Sequence, residues 1–565
     1  MLARIFGIGA ARGRLARAGM LAALLIVLLS ALLFLLGPRD GLIATLFRRQ
    51  DLPMLLMSAV LLLVFALSPR ELPSWPVPAP DLSVAALALV VLVVSAAGTW
   101  LVFADFPLTR DELLADFDAA FIAADQWVAP IPAEWRADTQ ALLPHIRLPV
   151  PAEAGWHSDY LPGNAALRAV GERTIGMEWT NPVLAALSVV AVFRIGRRLW
   201  PQAPGPAMVA ALFMATSAQV VTMAMTPFAM TAHLAFNLLW LWCFLRSDWK
   251  GDASALAAGF VATGLHQLIF HPLFVAPFIL HLLLRGERGR ALLYVLGYGA
   301  IGLFWASWWQ ILAAVGGGGG AAGAGELAGL ATLGLDLVGR FEPSALLTMG
   351  FNLARFVAWQ NLLLLPLALL AWPAVRHDEG LARPLAAGIL LTFVAMLALL
   401  PSQGFGWGYR YLHGHIGSLC LLAGYGWQSI ADDRRRSFVL AAATIATLLI
   451  MLPAQLKGAH DYTAPRPRAY ALIANAPADI VVVVPFEDMY DVLVRNRPDL
   501  SNHPKVMDMR DLSAAQLARL CGRYRVALFD ITSGVRAGLP TTARPEWIAG
   551  FSAASSRVPC GTLLQ

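Results

Sequence analysis

Charged residues are scarce in this sequence: they make up 14% of the 565 residues, whereas hydrophobic residues make up 58%. A soluble domain carries about 25% charged residues. This shortage, together with a mean hydropathy of +0.63, excludes an ordinary soluble protein and predicts an integral membrane protein. The net charge of +6 does not indicate a nucleic-acid partner, because the arginines gather in short loops between apolar runs, as expected of cytoplasmic loops.

Several familiar sequence signals are missing. The first apolar run, residues 20–36, is followed by Gly37-Pro38-Arg39-Asp40 and by no small-residue cleavage site, which favours a retained first helix with a cytoplasmic N-terminus. The glycine run at residues 316–320 lacks the Gly-Lys-Ser/Thr of a phosphate-binding loop, so we interpret it as a flexible lid or a tolerated insertion.

Only four cysteines are present. Cys243 and Cys420 lie in apolar runs, whereas Cys521 and Cys560 lie near the C-terminus. An oxidising compartment would permit a disulfide between the latter two, and two free thiols are the alternative.

The apolar runs, separated by arginine-rich loops, predict about thirteen membrane spans. We divide the chain into N-terminal transmembrane helices (1–104), a structured outer loop (105–178), a transmembrane bundle (179–456) and a small outer α/β domain (457–565). Apolar runs at 478–485 and 525–530 predict strands of that last domain, with a helix at 512–520 between them. Arginine-rich, lysine-poor usage suggests a bacterial source.

An acidic cluster directly follows the third apolar run. Asp105, Asp111 and Glu112 lie within eight residues, and acidic side chains at a bilayer edge are costly unless they face water, a bundle interior or a charged partner. One interpretation is an ordinary loop, in which Asp105 caps a helix and Glu112 pairs with Arg110. The other is a functional site. Helical periodicity is predicted for residues 112–127.

An outer loop that opens with Asp111-Glu112 after a span is typical of membrane glycosyltransferases of the GT-C type. The chain resembles the group of protein O-mannosyltransferases and the lipid A aminoarabinose transferase (glycosyltransferase family 39-like). Three further features carry the resemblance: a span over residues 181–201 that ends in arginines, a tight hairpin over 253–285, and the outer C-terminal domain. The two spans that precede the acidic loop look like an addition.

The resemblance implies a membrane α-helical, GT-C-like bundle with a structured first outer loop and a small C-terminal α/β periplasmic domain. It also implies an inverting enzyme of the bacterial inner membrane that moves a sugar from a polyprenyl-phosphate donor to a hydroxyl acceptor on the periplasmic face. The acceptor, a glycan, a lipid or a protein, stays open.

The family's catalytic Asp-Glu corresponds to Asp111 and Glu112, which makes Asp111 the implied base. Asp105 is the second candidate. A carboxylate can take the proton of an attacking hydroxyl, while a cation must meet the charge that grows on the leaving phosphate.

Arg410 is the leading candidate for that cation. It lies between Tyr409 and Tyr411, which we count as candidate substrate-binding residues with it. The alternative is an interfacial arginine that reaches the lipid headgroups beside the two tyrosines. Arg168 is a second candidate, because it lies where the first outer loop turns back towards the membrane.

Two pairs of histidines complete the set of candidates. His266 and His271 mark the tip of the hairpin, where family members often place a lysine that is missing here. They are five positions apart, and His413 and His415 are two apart, whereas metal-binding pairs on a helix prefer spacings of three or four. We therefore predict no metal site and no required cofactor, and leave a divalent cation at the acidic cluster open.

The main alternative function is a transporter or flippase of a lipid-linked glycan. Such a protein uses charges or broken helices near the membrane midplane and often shows internal repeats. Few charges lie in mid-span and no repeat is evident in the sequence, so this alternative ranks second. A third class is a receptor whose C-terminal domain binds a partner; truncation after Lys457 would abolish its activity, whereas the enzyme would retain some.

Overall fold

The structure, a computed structural model, describes residues 13–39, 41–73, 79–143, 155–156, 158–315, 344–486, 489–540 and 562–563. The glycine run at 316–320 and Cys560, to which a predicted lid and a predicted disulfide belong, lie outside the described residues.

Helices dominate the described chain. In chain order the first twelve are α1 (Arg14–Leu36), α2 (Leu42–Leu46), α3 (Leu52–Leu67), α4 (Pro80–Leu101), α5 (Arg110–Ala123), α6 (Thr139–Leu142), α7 (Gly163–Glu172), α8 (Thr180–Leu199), α9 (Pro204–Thr216), α10 (Ala218–Met223), α11 (Met230–Phe244) and α12 (Trp249–Thr263). The others are α13 (Phe270–Leu284), α14 (Arg288–Ala306), α15 (Trp308–Val315), α16 (Ser344–Ala358), α17 (Leu364–Leu370), α18 (Trp372–Arg376), α19 (Ala382–Leu399), α20 (Ile416–Ser429), α21 (Arg436–Ala446), α22 (Leu452–Thr463), α23 (Pro465–Ala474), α24 (Ala514–Cys521) and α25 (Ile531–Arg536).

Seven helical stretches of the described residues are long and apolar enough to cross a membrane. They cover residues 14–36, 42–67, 80–101, 177–199, 288–306, 382–399 and 436–474. Shorter apolar helices are α9, α11, α13 and α16. In lipid a helix satisfies its own backbone hydrogen bonds, so apolar runs of this length become spans. The chain is an integral membrane protein; the predicted total of about thirteen spans is not confirmed.

The N-terminal helices pack onto the rest of the bundle. Helix α1 lies along α3 and contacts α16 and α17, while α4 packs against α8. A π-helical turn, Phe47–Asp51, joins α2 to α3. The edge-to-face contact between Phe47 and Phe351, with ring centroids 4.9 Å apart, fixes this turn against α16.

Two apolar runs that are predicted from sequence as continuous spans are each broken into two helices in the structure. Helix α9 ends at Thr216, and the Ser217 hydroxyl accepts a hydrogen bond from the Val220 N–H (3.2 Å) to begin α10. The second break separates α16 from α17 at residues 359–363. Side chains join the two breaks: Ser217 donates to Gln360 Oε1 (2.8 Å) and Asn361 donates to Thr216 Oγ1 (2.9 Å).

The segment 105–178, which is predicted to be an outer loop and keeps that name below, contains α5 as its first helix. The Thr109 hydroxyl accepts the Glu112 N–H (3.3 Å) and so caps this helix. The helix predicted at 112–127 therefore begins at Arg110 and ends at Ala123, because Asp125 adopts a left-handed backbone (φ 62°).

A four-stranded parallel sheet lies near the C-terminus, in the order β2-β1-β3-β4. Its strands are β1 (Ile480–Val483), β2 (Lys505–Asp508), β3 (Val526–Phe529) and β4 (Thr562–Leu563). The first and third strands lie within the runs predicted from sequence. The helix predicted at 512–520 is α24, which starts with a capping box formed by Ser513 and Gln516.

The sheet and the outer loop share one apolar core. Phe117 and Trp156 of the loop pack in the same buried cluster as Ile480 and Val482 of β1. The Trp156 indole also donates to Pro498 O (3.0 Å). The C-terminal part is therefore bound to the outer loop. The predicted domain boundary after residue 456 lies inside α22.

Candidate active site

Asp111 and Arg410 meet although 299 residues separate them. Asp111 lies in the first turn of α5, and Arg410 begins a short 3-10 helix, Arg410–His415, before α20. Arg410 Nη1 pairs with Asp111 Oδ2, and the two side chains are only 10% and 15% exposed. The Tyr160 hydroxyl donates to Asp111 Oδ1 (2.5 Å). Each oxygen of this carboxylate thus has its own donor.

The charge state of Asp111 follows from these neighbours. Burial raises the pKa of Asp111, but the positive charge of Arg410 opposes burial, and His266 and the Tyr160 hydrogen bond act in the same direction as Arg410. The net effect holds the pKa well below its usual range. Asp111 is an anion at neutral pH.

Arg410 is held by the loop that precedes it. Its Nε donates to Gln403 O (2.9 Å), and its backbone N–H donates to Gln403 Oε1 (2.8 Å). Gln403 Nε2 in turn donates to Gly408 O (2.9 Å). The guanidinium lies 5.2 Å from the ring centre of Phe228 and 5.3 Å from that of Tyr411. Arg410 is buried and held by these contacts, which contradicts the alternative of an interfacial arginine that reaches the lipid headgroups.

The tip of the α12–α13 hairpin closes the site. The ring centres of His266 and Tyr160 are 4.0 Å apart, and the Leu161 N–H donates to His266 O (3.2 Å). His266, Tyr160 and Asp111 line one narrow cleft together with Phe228. The hairpin thus contributes to the site through His266.

His271, the second histidine of the hairpin, lies inside the bundle. It is fully buried in α13 and hydrogen-bonds the Asn237 side chain and the Tyr298 hydroxyl, both at 2.7 Å. Asn237 donates to Gly414 O (3.1 Å), within the 3-10 helix that begins at Arg410. His271 therefore supports the backbone behind the site, and its predicted contact with substrate stays untested.

Glu112 has a different environment from Asp111. It is 1% exposed, and its Oε2 accepts hydrogen bonds from the Leu108 N–H (3.1 Å) and the Thr109 hydroxyl (2.9 Å). Burial outweighs these bonds and raises the pKa of Glu112 to about 8. Arg110 pairs with Asp159 (2.6 Å), so the pairing of Glu112 with Arg110 in the ordinary-loop interpretation is wrong.

Asp105 and Arg168 belong to a second group of charges. Arg168, 2% exposed, donates from Nε to Asp116 Oδ1 (2.8 Å). Asp105 has a left-handed backbone (φ 49°) and caps no helix, since Thr109 caps α5. Partial burial raises the pKa of Asp105 to about 6, and the negative charge of Asp116 contributes to this rise.

The two tyrosines beside Arg410 have different positions. Tyr409 is fully buried, and its carbonyl accepts from Gln219 Nε2 (2.9 Å). Tyr411 stacks near Phe270 (5.4 Å between ring centres) as well as beside Arg410. Within the described residues, no group of three or more His, Cys, Asp or Glu side chains could hold a metal ion.

Tyr160 and Gln403 were not predicted. Tyr160 lies in the outer loop 49 residues after Asp111, and a hydroxyl that faces a carboxylate leaves no spacing signal. Gln403 precedes a stretch in which glycine alternates with aromatic residues, a composition that indicates a tight turn. That composition does not show which side chain closes the turn.

Comparisons with known proteins complete the description of the site. No family model matches the chain, and no curated protein matches it either. The crystal structure of ArnT from Cupriavidus metallidurans in the apo state is similar, with a TM-score of 0.49 and 14% identity over 74% of this chain and 85% of that chain. The same protein bound to undecaprenyl phosphate gives a TM-score of 0.49 and 14% identity over 85% of this chain and 89% of that chain. ArnT is the lipid A aminoarabinose transferase, a member of the group that the sequence resembles.

Proposed function

We propose that the chain is an inverting glycosyltransferase that moves a sugar from a polyprenyl-phosphate donor to a hydroxyl acceptor on the periplasmic face of the bacterial inner membrane. The observation that carries this proposal is the buried pair of Asp111 and Arg410, with Tyr160 on the other carboxylate oxygen. An anionic base in direct contact with a cation supplies the two groups that such a transfer needs.

The proposed reaction uses both groups. Asp111 takes the proton of the acceptor hydroxyl while the hydroxyl oxygen forms a bond to C1 of the sugar. The bond between C1 and the phosphate oxygen breaks, and its electron pair stays on the phosphate. Attack from the face opposite the phosphate inverts C1, and Arg410 stabilises the charge on the departing polyprenyl phosphate.

The ion pair also gives the base a way to be activated. Arg410 neutralises Asp111 in the free protein and keeps it weakly basic. A donor phosphate competes for the guanidinium through charge-assisted hydrogen bonds. When Arg410 turns towards the phosphate, the pKa of Asp111 rises and the carboxylate becomes a better base.

The other candidate residues take supporting roles in this proposal. Tyr160 orients the Asp111 carboxylate, and His266 shapes the cleft around the acceptor. Glu112 supports the start of α5 through Thr109 and Leu108. The catalytic roles predicted for Glu112 and Asp105, and substrate binding by Arg168, stay predictions.

Transport of a lipid-linked glycan ranks second. The broken spans at Ser217 and 359–363 are a feature of that class. Their polar groups, however, bond to one another across the two breaks, as Ser217 does with Gln360. Polar groups that are already paired are poor ligands for a transported substrate.

Sugar transfer from radiolabelled polyprenyl-phosphate sugars, by the purified full chain in liposomes, tests the proposal. Asp111→Asn keeps the size of the side chain and removes the base, so we expect release of polyprenyl phosphate to fall by about 10²- to 10⁴-fold. Asp125→Asn is the matched control, because Asp125 follows the C-terminal end of α5 and its side chain is 86% exposed. Equal release by the wild type and Asp111→Asn would contradict the role of Asp111.

A further inference from the structure

A fully buried ion pair lies between the N-terminal helices and the bundle. Asp51 ends the π-helical turn before α3, and Arg355 lies in α16. Both side chains have 0% exposure, and Arg355 Nε lies 2.9 Å from Asp51 Oδ2. The Trp359 indole donates to the other carboxylate oxygen (2.7 Å).

Fully buried charges in the helices of a membrane protein are rare. Ionised side chains within spans are unfavourable unless they are paired, and they commonly mark a functional part of the protein. The sequence has few mid-span charges, and its pattern does not single out Asp51 or Arg355. Neither residue touches Asp111 or Arg410 directly, so their role must act through another part of the chain.

Two contacts connect this cluster to the candidate site: the Trp359 ring lies 5.8 Å from that of Trp407 (between ring centres), and Arg355 makes a hydrogen bond to the same loop. Arg355 Nη2 donates to Gly406 O (2.6 Å). Gly406 lies in the loop that delivers Arg410, and the stem of Arg410 packs against it: a Cβ atom on Gly406 would lie 3.2 Å from Arg410 Cδ. Gln403, at the start of the same loop, holds the Arg410 guanidinium.

We propose that Arg355, fixed by Asp51, is a positioning residue that holds the 403–410 loop so that Arg410 faces Asp111. An arginine can serve the carboxylate and the carbonyl at once, because its guanidinium carries several donors in a rigid plane. A lysine has one nitrogen and cannot span both partners. The N-terminal helices thereby influence the geometry of the site, because their Asp51 fixes Arg355.

The first test is independent of activity. Hydrogen exchange of the purified full chain in nanodiscs, followed by mass spectrometry, compares wild type with Arg355→Lys. We expect Arg355→Lys to lose protection at residues 403–410. Arg290→Lys is the matched control, since Arg290 also bridges a carboxylate (Asp252, 2.9 Å) and a backbone carbonyl (Phe244 O, 2.5 Å) in the bundle. Unchanged protection of the loop in Arg355→Lys would overturn the proposal.

The second test rests on the proposed function. The titratable and charged groups that interact with Asp111 are Arg410, His266, Tyr160, Tyr411 and Glu112. If Arg410 is no longer held, the acid limb of kcat/KM should move up by about one to three pH units, and kcat should fall by about 10- to 100-fold. A purely structural defect lowers the amount of active enzyme and leaves the limb in place, so an unmoved limb would overturn the positioning role.

Two further arms keep the outcomes distinct. If Arg355→Lys does not fold, the double variant Asp51→Asn with Arg355→Gln replaces it, because this variant removes both charges and leaves neither unpaired. We expect the same loss of protection at residues 403–410. Retained protection would overturn the proposal. If the wild type transfers no sugar, the proposed function fails, and the exchange data still decide whether Arg355 positions the loop.

Discussion

At the scale of single residues, the environment of Asp111 predicts a difference between two pH profiles. Arg410 keeps the pKa of Asp111 low in the free protein. The acid limb of kcat/KM reports the free enzyme, and that of kcat reports the donor complex. Because the donor phosphate draws Arg410 away, we expect the limb of kcat to lie about one to three pH units higher. Coincident limbs would show that Arg410 does not leave Asp111.

Glu112 predicts how stability depends on pH. Its pKa is about 8 in the folded state, above the ordinary 4.5 of the unfolded chain. The folded state therefore binds more protons between these values, and the stabilisation present below pH 4.5 is lost as the pH rises through 8. Thermal unfolding should show a Tm that falls over this range.

Glu112→Gln provides the control for this dependence. An amide can accept the same hydrogen bonds from Leu108 and Thr109 without titrating. The fall in Tm between pH 5 and pH 8 should be smaller in this variant than in the wild type. An unchanged slope would assign the dependence to another group, such as Asp118, whose pKa burial raises to about 7.

At the scale of elements, one ion pair joins the outer loop to the sheet. Asp138 has a fully buried side chain and accepts two bonds from Arg519 Nη2 (2.5 and 2.7 Å) at the end of α24. Asp138→Ala leaves Arg519 without this partner, and Arg519 is 34% exposed, so we expect a loss of roughly 1–3 kcal/mol. Limited proteolysis should then cleave the C-terminal part faster.

Asp479→Ala is the comparison for Asp138→Ala. Asp479 pairs with Arg525 (3.1 Å), and this pair lies on the surface. Its removal should change proteolysis little, because water screens the attraction within an exposed pair. Equal sensitivity of the two variants would mean that the Asp138 pair does not join the loop to the sheet.

Elements were predicted from the sequence with uneven success. Apolar composition was enough to locate α1, α3 and α4, and a run of valines located β1. The breaks at Ser217 and after α16 were not predicted, because side chains from another span stabilise them and hydropathy does not record such partners. The 3-10 helix at Arg410–His415 was missed for the same reason.

The candidate site was predicted in part. Asp111 came from the family resemblance and Arg410 from its glycine and aromatic neighbours, and the structure brings the two together. Tyr160, Gln403 and Arg355 were not found, since each acts through a contact with a residue distant in sequence. Such contacts follow from the packing of whole helices and not from local composition.

At the scale of the whole molecule, the core shared by the outer loop and the sheet changes what truncation can show. From the sequence, an enzyme is expected to retain some activity after removal of the residues beyond Lys457. Phe117 and Trp156, however, pack against β1. We expect the truncated chain to lose sugar transfer and to expose apolar surface, measured as dye binding. Full activity of the truncated chain would show that the outer loop holds its shape alone.

Binding of a polyprenyl phosphate to the purified full chain, compared between wild type and Arg410→Gln, tests most directly whether Arg410 receives the donor phosphate. If Arg410 receives the phosphate, its loss removes hydrogen bonds to a charged group, each worth about 1.5–3 kcal/mol, so Kd should rise at least about tenfold. Arg173→Gln, in the outer loop and 47% exposed, should bind as the wild type does. Wild-type affinity in Arg410→Gln would contradict the assignment of Asp111 and Arg410 as the site of transfer.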